Sequence, residues 1–468
     1  MLFLRFSIPD ERERVKLDQI KISNPDLKEL LRREGFSCSC GKPHRADTET
    51  VLIERGAISR LPALLRHYGA GRPFLLSGHD SFAAAGAAVC RTLEEAGLPY
   101  ASYVFPQSPV KPTESTVGAA LMHFDYGCDA ILAVGSGVIN DTAKMLARAR
   151  GLPYILAATA PSMDGFVSAT SSMDRDGLKV SLESRAADAV IGDLDILERA
   201  PMHLLLAGVG DMLAKLVSLA EWRIAEIVVG EYYCPAVAAL VQGATERVLA
   251  AAPGLVRREE DAVRAVMEGL VLAGLGMNFA GLSRPASGME HYLSHIWDMR
   301  ALAFPEAGSD LHGIQTGIAT LYTLRAYEAL TRKGIRPERS RAERAAAGFS
   351  LSDWNAELRC FIGPGAEAMI AREEKEKKYA PENWRARYET IESRWEEITA
   401  VIRSLPSSEQ VRKLMESIGF PTDAGVIGYD MEQVRTTLRM SGDIRDKYVG
   451  SRLFRDLGVL EEIAAAVD

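Results

Sequence analysis

The stretch DAILAVGSGVINDTAKMLARARGLPYILAAT, residues 129–159, decides the architecture. It opens on an apolar run, DAILAVG (129–135), and turns through Gly135-Ser136-Gly137. It then passes into VINDTAKMLARARG with helical spacing and returns to apolar PYILAAT (153–159). Both runs are apolar throughout rather than alternating, as strands buried on two faces are. Strand, helix and strand in this order form a crossover unit, which joins parallel strands of one sheet. Toward the N-terminus, PFLLSG (73–78) and YASYVFP (100–106) read as further strands, with helices predicted over DSFAAAGAAVCRTLEEAG and PTESTVGAALMHFDYG. On the other side, FVSATSSMDRDGLKVSLESRAADAVIGDLDIL, around 165–195, reads as a small hairpin and one more strand.

From about Pro201 the strand patterns stop. HLLLAGVGDMLAKLVSLAEWRIAEIV, PAVAALVQGATERVLAAA and EEDAVRAVMEGLVLAGLGMNFAGL are long helical stretches. The predicted fold is an α/β domain with a Rossmann-like parallel sheet over residues 1–198, followed by an all-α domain over 199–468. Such pairs commonly hold a ligand in the cleft between them. Residues 371–405 are dense in charge of both signs, which predicts a solvated helical arm.

Composition narrows the class. The chain has 468 residues, 47% hydrophobic and 25% charged, enough for two or three cored domains. A net charge of −8 leaves no electrostatic footprint for nucleic acid. No apolar run approaches the ~18 residues of a membrane span. In the opening MLFLRFSIPDERERVKLD (1–18), acids follow too soon for a secretory signal. Six cysteines in so long a chain read as cytosolic thiols rather than a disulfide framework. The expectation is a cytoplasmic protein with no stable membrane insertion.

At the loop, glycines let the backbone approach an anion, and the following helix offers free N–H groups and a partial positive charge. The motif is not the full dinucleotide fingerprint, since Asn140 stands at the third glycine position, and it is not a Walker A loop. A plain tight turn is the alternative. ATAPSMDGFVSAT (158–170) follows the next strand and puts Thr159, Ser162, Asp164 and Ser168 on one loop at the carboxyl edge of the sheet, where open α/β sheets bind ligands. Two such loops on consecutive strands favour a nucleotide.

The chain has 8 histidines, and ASGMEHYLSHIWDM (286–299) places two of them, His291 and His295, one helical turn apart on one face. They are either polar residues on a wet surface or part of a site with partners elsewhere. A zincin-type protease helix is excluded, because Tyr292 rather than Glu follows the first histidine. A divalent metal wants imidazoles and a carboxylate, with one position left open. LHGIQTG offers His312, and GVGDMLAK offers Asp211, an acid in an apolar helical stretch where an unpaired carboxylate is costly. A capping or ion-paired role is the alternative for Asp211. With Asp211, His291 and His312 as ligands, His295 is free to touch substrate. CSCGKPH (38–44) is a competing metal candidate, but Cys38, Cys40 and His44 make three ligands where structural zinc uses four, so a structural turn is expected there.

Taken in order, GSGVIND, TAPSMDG, GVGDML, RPASGMEHYLSH and LHG resemble the sn-glycerol-1-phosphate dehydrogenases, most of all their bacterial branch. These belong to the superfamily of iron-containing alcohol, glycerol and 3-dehydroquinate-type enzymes with a dehydroquinate synthase-like fold. The resemblance spans roughly residues 36–330 and implies NAD or NADP, one divalent metal ion (zinc, or nickel or iron), a small phosphorylated substrate and a homodimer. It implies that Gly135, Ser136, Gly137, Val138, Ile139, Asn140 and Asp141, with Thr159, Ala160, Pro161, Ser162 and Ser168, hold the cofactor. It also implies that Asp164 contacts substrate, that Asp211, His291 and His312 bind the metal, and that Asp211 and His295 serve catalysis. Arg284, beside the metal helix, is the candidate for the substrate phosphate. Val138 and Asn140 depart from many relatives, as does the charged segment. The implied reaction interconverts dihydroxyacetone phosphate and sn-glycerol 1-phosphate. A glycerol or other polyol dehydrogenase, or a non-catalytic NAD-binding protein, is the rival.

Overall fold

The apolar runs pair much as their pattern predicts. In the computed structural model, which describes residues 25–175 and 178–468, the strands are β1 (Thr50–Glu54), β2 (Pro73–Gly78), β3 (Ala101–Phe105) and β4 (Ala130–Gly135). β5 (Tyr154–Ala158), β6 (Thr170–Arg175), β7 (Leu178–Glu183) and β8 (Ala189–Asp193) follow. The opening stretch 1–18 lies outside the described residues. Among those residues, one parallel sheet runs in the order β1-β8-β5-β4-β2-β3, and β6 and β7 form the antiparallel hairpin. β1 went unread in the sequence. It is an edge strand with one buried side chain, Val51, so it lacks the continuous apolar run that marks β4 and β5.

The central strands bury both faces, and their alternate side chains feed two cores. Leu75, Leu132, Val134, Ile155 and Ile191 pack with α1 (Leu61–His67) and α2 (Ala87–Glu95). Phe74, Leu76, Ile131, Ala133, Leu156 and Val190 face the other way. There they join α3 (Glu114–Met122), α4 (Gly137–Arg150) and the core of the helical region.

After β8 the chain is helical: α5 (Met202–Val229), α6 (Pro235–Ala251), α7 (Glu260–Ala280), α8 (Met289–Ala303) and α9 (His312–Arg332). α5 and α7 are each long and apolar enough to cross a bilayer, contrary to expectation, but 72% of each apolar window is buried inside the protein. They are core helices. α5 is placed by contacts too close for any side chain. A Cβ on Gly208 would stand 2.0 Å from the Pro161 carbonyl oxygen, and one on Gly313 1.8 Å from that of Ala207. α5 is thereby pressed against both the loop after β5 and the first turn of α9.

Residues 371–405 are not a free arm. They break into helices ending at Glu376, Ser393 and Arg403, and they bury Trp384, Tyr388, Ile391, Trp395, Ile398 and Ile402. Arg394 Nη1 donates to the Ile227 carbonyl of α5. The charges occupy the outer faces of amphipathic helices, a pattern that a count of charge hides.

Candidate active site

Strand order reverses between β2 and β4, so their carboxyl ends mark the switch point where open α/β sheets take ligands. Gly135-Ser136-Gly137 sits there. No side chain caps α4, leaving its first N–H groups for an anion, and Ser136, Gly137 and Val138 are partly open to solvent. Across the switch point stands Gly78-His79-Asp80, which the sequence reading missed; Ser77 Oγ at its base donates to the Val134 carbonyl at 2.8 Å. A short run after a strand carries no glycine-rich signature to flag it.

The rest of the expected cofactor set is more structural than anticipated. Ile139 lies in the core. Asn140 is fully buried, its Nδ2 donating to the Gly165 carbonyl at 3.0 Å and its Oδ1 accepting from Tyr154 Oη at 2.8 Å. Asp141 pairs with Lys144 at 3.2 Å and accepts from Ser172 N. Ser168 Oγ accepts from Lys144 Nζ at 3.0 Å. These side chains are used by the fold, and the Asn140 N–H is likewise taken, by the Ser136 carbonyl at 2.9 Å. Lys144 itself was missed. Its buried ammonium also donates to the Gly165 and Thr170 carbonyls, tying the middle of α4 to the loop after β5 and the start of β6. Burial pushes its pKa down, opposed by the Asp141 carboxylate. Thr159, Ala160, Pro161 and Ser162 line the adjoining loop and are nearly buried, with Thr159 N donating to the Gly135 carbonyl at 3.1 Å.

The proposed ligands converge. One donor atom each from Asp211, His291 and His312 lies within 4.8 Å of the others. Asp211 is fully buried on α5, and its Oδ2 accepts the Asp164 backbone N–H at 2.8 Å, which joins the helix to the loop after β5. His291 Nδ1 donates to Glu290 Oε1 at 2.8 Å, which turns Nε2 toward Asp211 Oδ1, 3.6 Å away. Such a carboxylate behind an imidazole fixes its tautomer and orientation. Glu221 accepts from Met289 N at 2.8 Å and from Gly450 N at 2.8 Å, which secures the start of α8. His312 Nδ1 lies 3.4 Å from Ser294 Oγ, and Ser294 is held by Gln315 Nε2 at 3.0 Å.

The donors fit a divalent cation in charge as well as type. The carboxyl groups of Asp211 and Asp164 meet one ammonium, Lys215, at 2.7 and 2.6 Å, and Glu290 stands behind His291. Acidic groups so buried, outnumbering the cation among them, suit a metal ion, and two imidazoles with one carboxylate leave a position open. Lys215 escaped sequence reading, although its i,i+4 spacing from Asp211 puts both on one face of α5. His295 stacks over His312, ring centroids 5.8 Å apart, and its buried Nδ1 has no hydrogen-bond partner among the described residues. Burial, together with Arg445 and His312, pushes its pKa well down.

Arg284 is buried and largely engaged. Its Nε donates to Glu231 Oε1 at 2.7 Å and its Nη2 to Glu231 Oε2 at 2.5 Å, and the residue is 1% exposed. Two of its three nitrogens are thus committed to Glu231, and Nη1 alone has no hydrogen-bond partner among the described residues. Two other cations neighbour Arg284: Arg445, whose Nη2 reaches Ser181 Oγ at 3.0 Å, and Lys447, whose Nζ donates to Ser283 Oγ at 2.8 Å. Desolvation, with Arg284 and Arg445 as neighbours, pushes Lys447 down to about 7. Neither residue was singled out in the sequence, because both lie some 150 positions past the metal helix in a segment without a motif.

The chain is similar to known proteins. A profile described as iron-containing alcohol dehydrogenase matches residues 52–201. The glycerol-1-phosphate dehydrogenase [NAD(P)+] of Bacillus licheniformis is 29% identical over 93% of this chain and 96% of its own length. That of Pyrococcus furiosus is 32% identical over 58% of this chain and 76% of its own. Among solved structures, glycerol dehydrogenase from Schizosaccharomyces pombe superposes with a TM-score of 0.57 at 15% identity, covering 90% of each chain. A probable glycerol dehydrogenase from Sinorhizobium meliloti 1021 gives 0.55 at 18% identity, covering 89% of this chain and 98% of its own; these two likenesses concern the fold alone. With the sheet, the loops and the relatives in agreement, the chain belongs to the glycerol-1-phosphate dehydrogenase family of the iron-containing alcohol dehydrogenases.

Proposed function

We propose that the protein reduces dihydroxyacetone phosphate to sn-glycerol 1-phosphate, reversibly, with NADH or NADPH. The observation that carries this is the convergence of Asp211, His291 and His312 next to the loops at the sheet's switch point. When bound, a divalent ion (zinc, nickel or iron) supplies Lewis acidity at the ketone oxygen and the nicotinamide supplies hydride. The chain does the rest. Asp211, His291 and His312 hold the ion, and Glu290 fixes the tautomer of His291. The open N-terminus of α4, with Gly135, Ser136, Gly137 and Val138, holds the cofactor phosphates, beside Thr159 to Ser162. His295, whose Nδ1 has no partner among the described residues, or a water ordered at the site, relays a proton between solvent and the C2 oxygen. Asp164, fixed by Lys215, faces substrate from the loop after β5.

Arg445 and Lys447 hold the substrate phosphate in this account, with Arg284 adding positive potential from behind. A lysine held near 7 by burial and neighbouring cations regains its proton when a dianion arrives. Binding and protonation are therefore linked, and KM for dihydroxyacetone phosphate is expected to rise as pH climbs above about 7. KM for dihydroxyacetone should lack this rise. Parallel profiles for the two ketones would remove Lys447 from the pocket.

The direct test is NADH oxidation by metal-loaded protein given dihydroxyacetone phosphate, set against NAD+ reduction with glycerol. Turnover of the phosphorylated ketone that stops on chelation supports the proposal. Turnover of glycerol alone points to a polyol dehydrogenase, and none with either substrate to a protein that only binds NAD.

A further inference from the structure

The segment 36–44 does not end as a plain turn. Phe36 and His44 exchange backbone hydrogen bonds of 2.7 and 2.8 Å, closing a loop that presents Cys38 and Cys40. The fourth group that the segment lacks arrives from the connection between α5 and α6. Cys234, fully buried, places its Sγ 3.6 Å from Cys38 Sγ and 3.5 Å from His44 Nε2. Cys40 Sγ lies 3.3 Å from the same Nε2, and one donor atom from each of the four residues lies within 4.8 Å of the others.

The geometry points to a structural zinc site formed by Cys38, Cys40, His44 and Cys234. Tetrahedral zinc with bonds of ~2.3 Å to sulfur and ~2.05 Å to nitrogen sets its ligand atoms about 3.6–3.8 Å apart, close to the spacings here. His44 is prepared for the role. It is 1% exposed, and its Nδ1 donates to the Phe279 carbonyl at 2.6 Å, so the Nε2 lone pair faces the sulfurs. Tyr232 Oη lies 3.2 Å from Cys40 Sγ, placed to donate to a thiolate, and Lys42 Nζ lies 3.5 Å from that tyrosine's ring centroid. Metal binding releases the three thiol protons, and the two groups offset the resulting negative charge. Four protein ligands leave no open position, so the site binds no substrate. It joins the segment before β1, the α5–α6 connection and the last turn of α7. The same connection carries Glu231, which holds Arg284. The soft, thiolate-rich set selects differently from the carboxylate and imidazoles of the active site.

The full-length protein exchanged with cobalt(II) tests this independently of activity. Thiolate-to-cobalt charge-transfer bands in the near ultraviolet are expected, retained in His312→Ala and lost in Cys234→Ser together with one metal equivalent per chain. Their absence from the wild-type protein, or their survival undiminished in Cys234→Ser, overturns the site. If Cys234→Ser does not fold, alkylation of the wild-type protein decides. Cys38, Cys40 and Cys234, located by peptide mass, should react only after chelation. Equal reaction with and without chelator, or a Cys38–Cys234 disulfide in the peptide map, overturns it.

Discussion

Dihydroxyacetone phosphate is expected to be reduced with a kcat/KM about 10⁴-fold above that for dihydroxyacetone, by analogy with sites built around one polar group of the substrate. Arg445 and Arg284 act on Lys447 with like charge that Glu231 and Glu290 offset in part, and an incoming dianion would offset it further. A ketone without phosphate gives Arg445 and Lys447 no anionic partner, and it also loses the attraction that draws a dianion into a cationic pocket on a chain of net charge −8. Arg445→Ala and Lys447→Ala should raise KM for the phosphorylated ketone strongly while leaving the weak turnover of dihydroxyacetone unchanged. Comparable efficiencies for the two ketones in the wild-type protein would place it among the glycerol-type dehydrogenases.

His312→Ala and Asp211→Asn are expected to lose active-site metal and activity together. Removing one of three ligands weakens the ion by more than the ~10–100-fold typical of outer-shell changes, whereas Glu290→Gln should fall within that range. His295→Ala separates the roles. It should keep the metal and lose turnover, because it stands outside the Asp211–His291–His312 set and its Nδ1 has no hydrogen-bond partner among the described residues. Metal analysis of the variants, read beside kcat, checks this. Full metal content and turnover in His312→Ala would dissolve the triad, and equal metal loss in His291→Ala and His295→Ala would mean that the face of α8 is misassigned.

What could be read from the chain was local. The i,i+4 spacing of His291 and His295 and the acid in the apolar run around Asp211 follow from helix geometry and the cost of burying charge, and both led toward residues that converge. Strands β2, β4 and β5 announce themselves because burial on two faces demands unbroken apolar runs. Partnerships between distant segments could not be read. Cys234 stands 196 residues from Cys38, so three ligands looked one short. Arg284 carried a suggestive position, but its engagement with Glu231 depends on how the α5–α6 connection packs. Lys144 and Lys215 resembled ordinary helix lysines, and only their burial against loop carbonyls and carboxylates reveals their work. The charged stretch 371–405 misled for a related reason, since helical phase rather than charge content decides which side chains are buried.

The measurement that bears most directly on the central claim is the configuration of the product. Metal-loaded protein would be given dihydroxyacetone phosphate and NADH, and the glycerol phosphate formed would be resolved by enantiomer. The account predicts sn-glycerol 1-phosphate alone, formed in step with NADH consumption and abolished in His312→Ala. Formation of the sn-3 enantiomer, or a racemate, would contradict it.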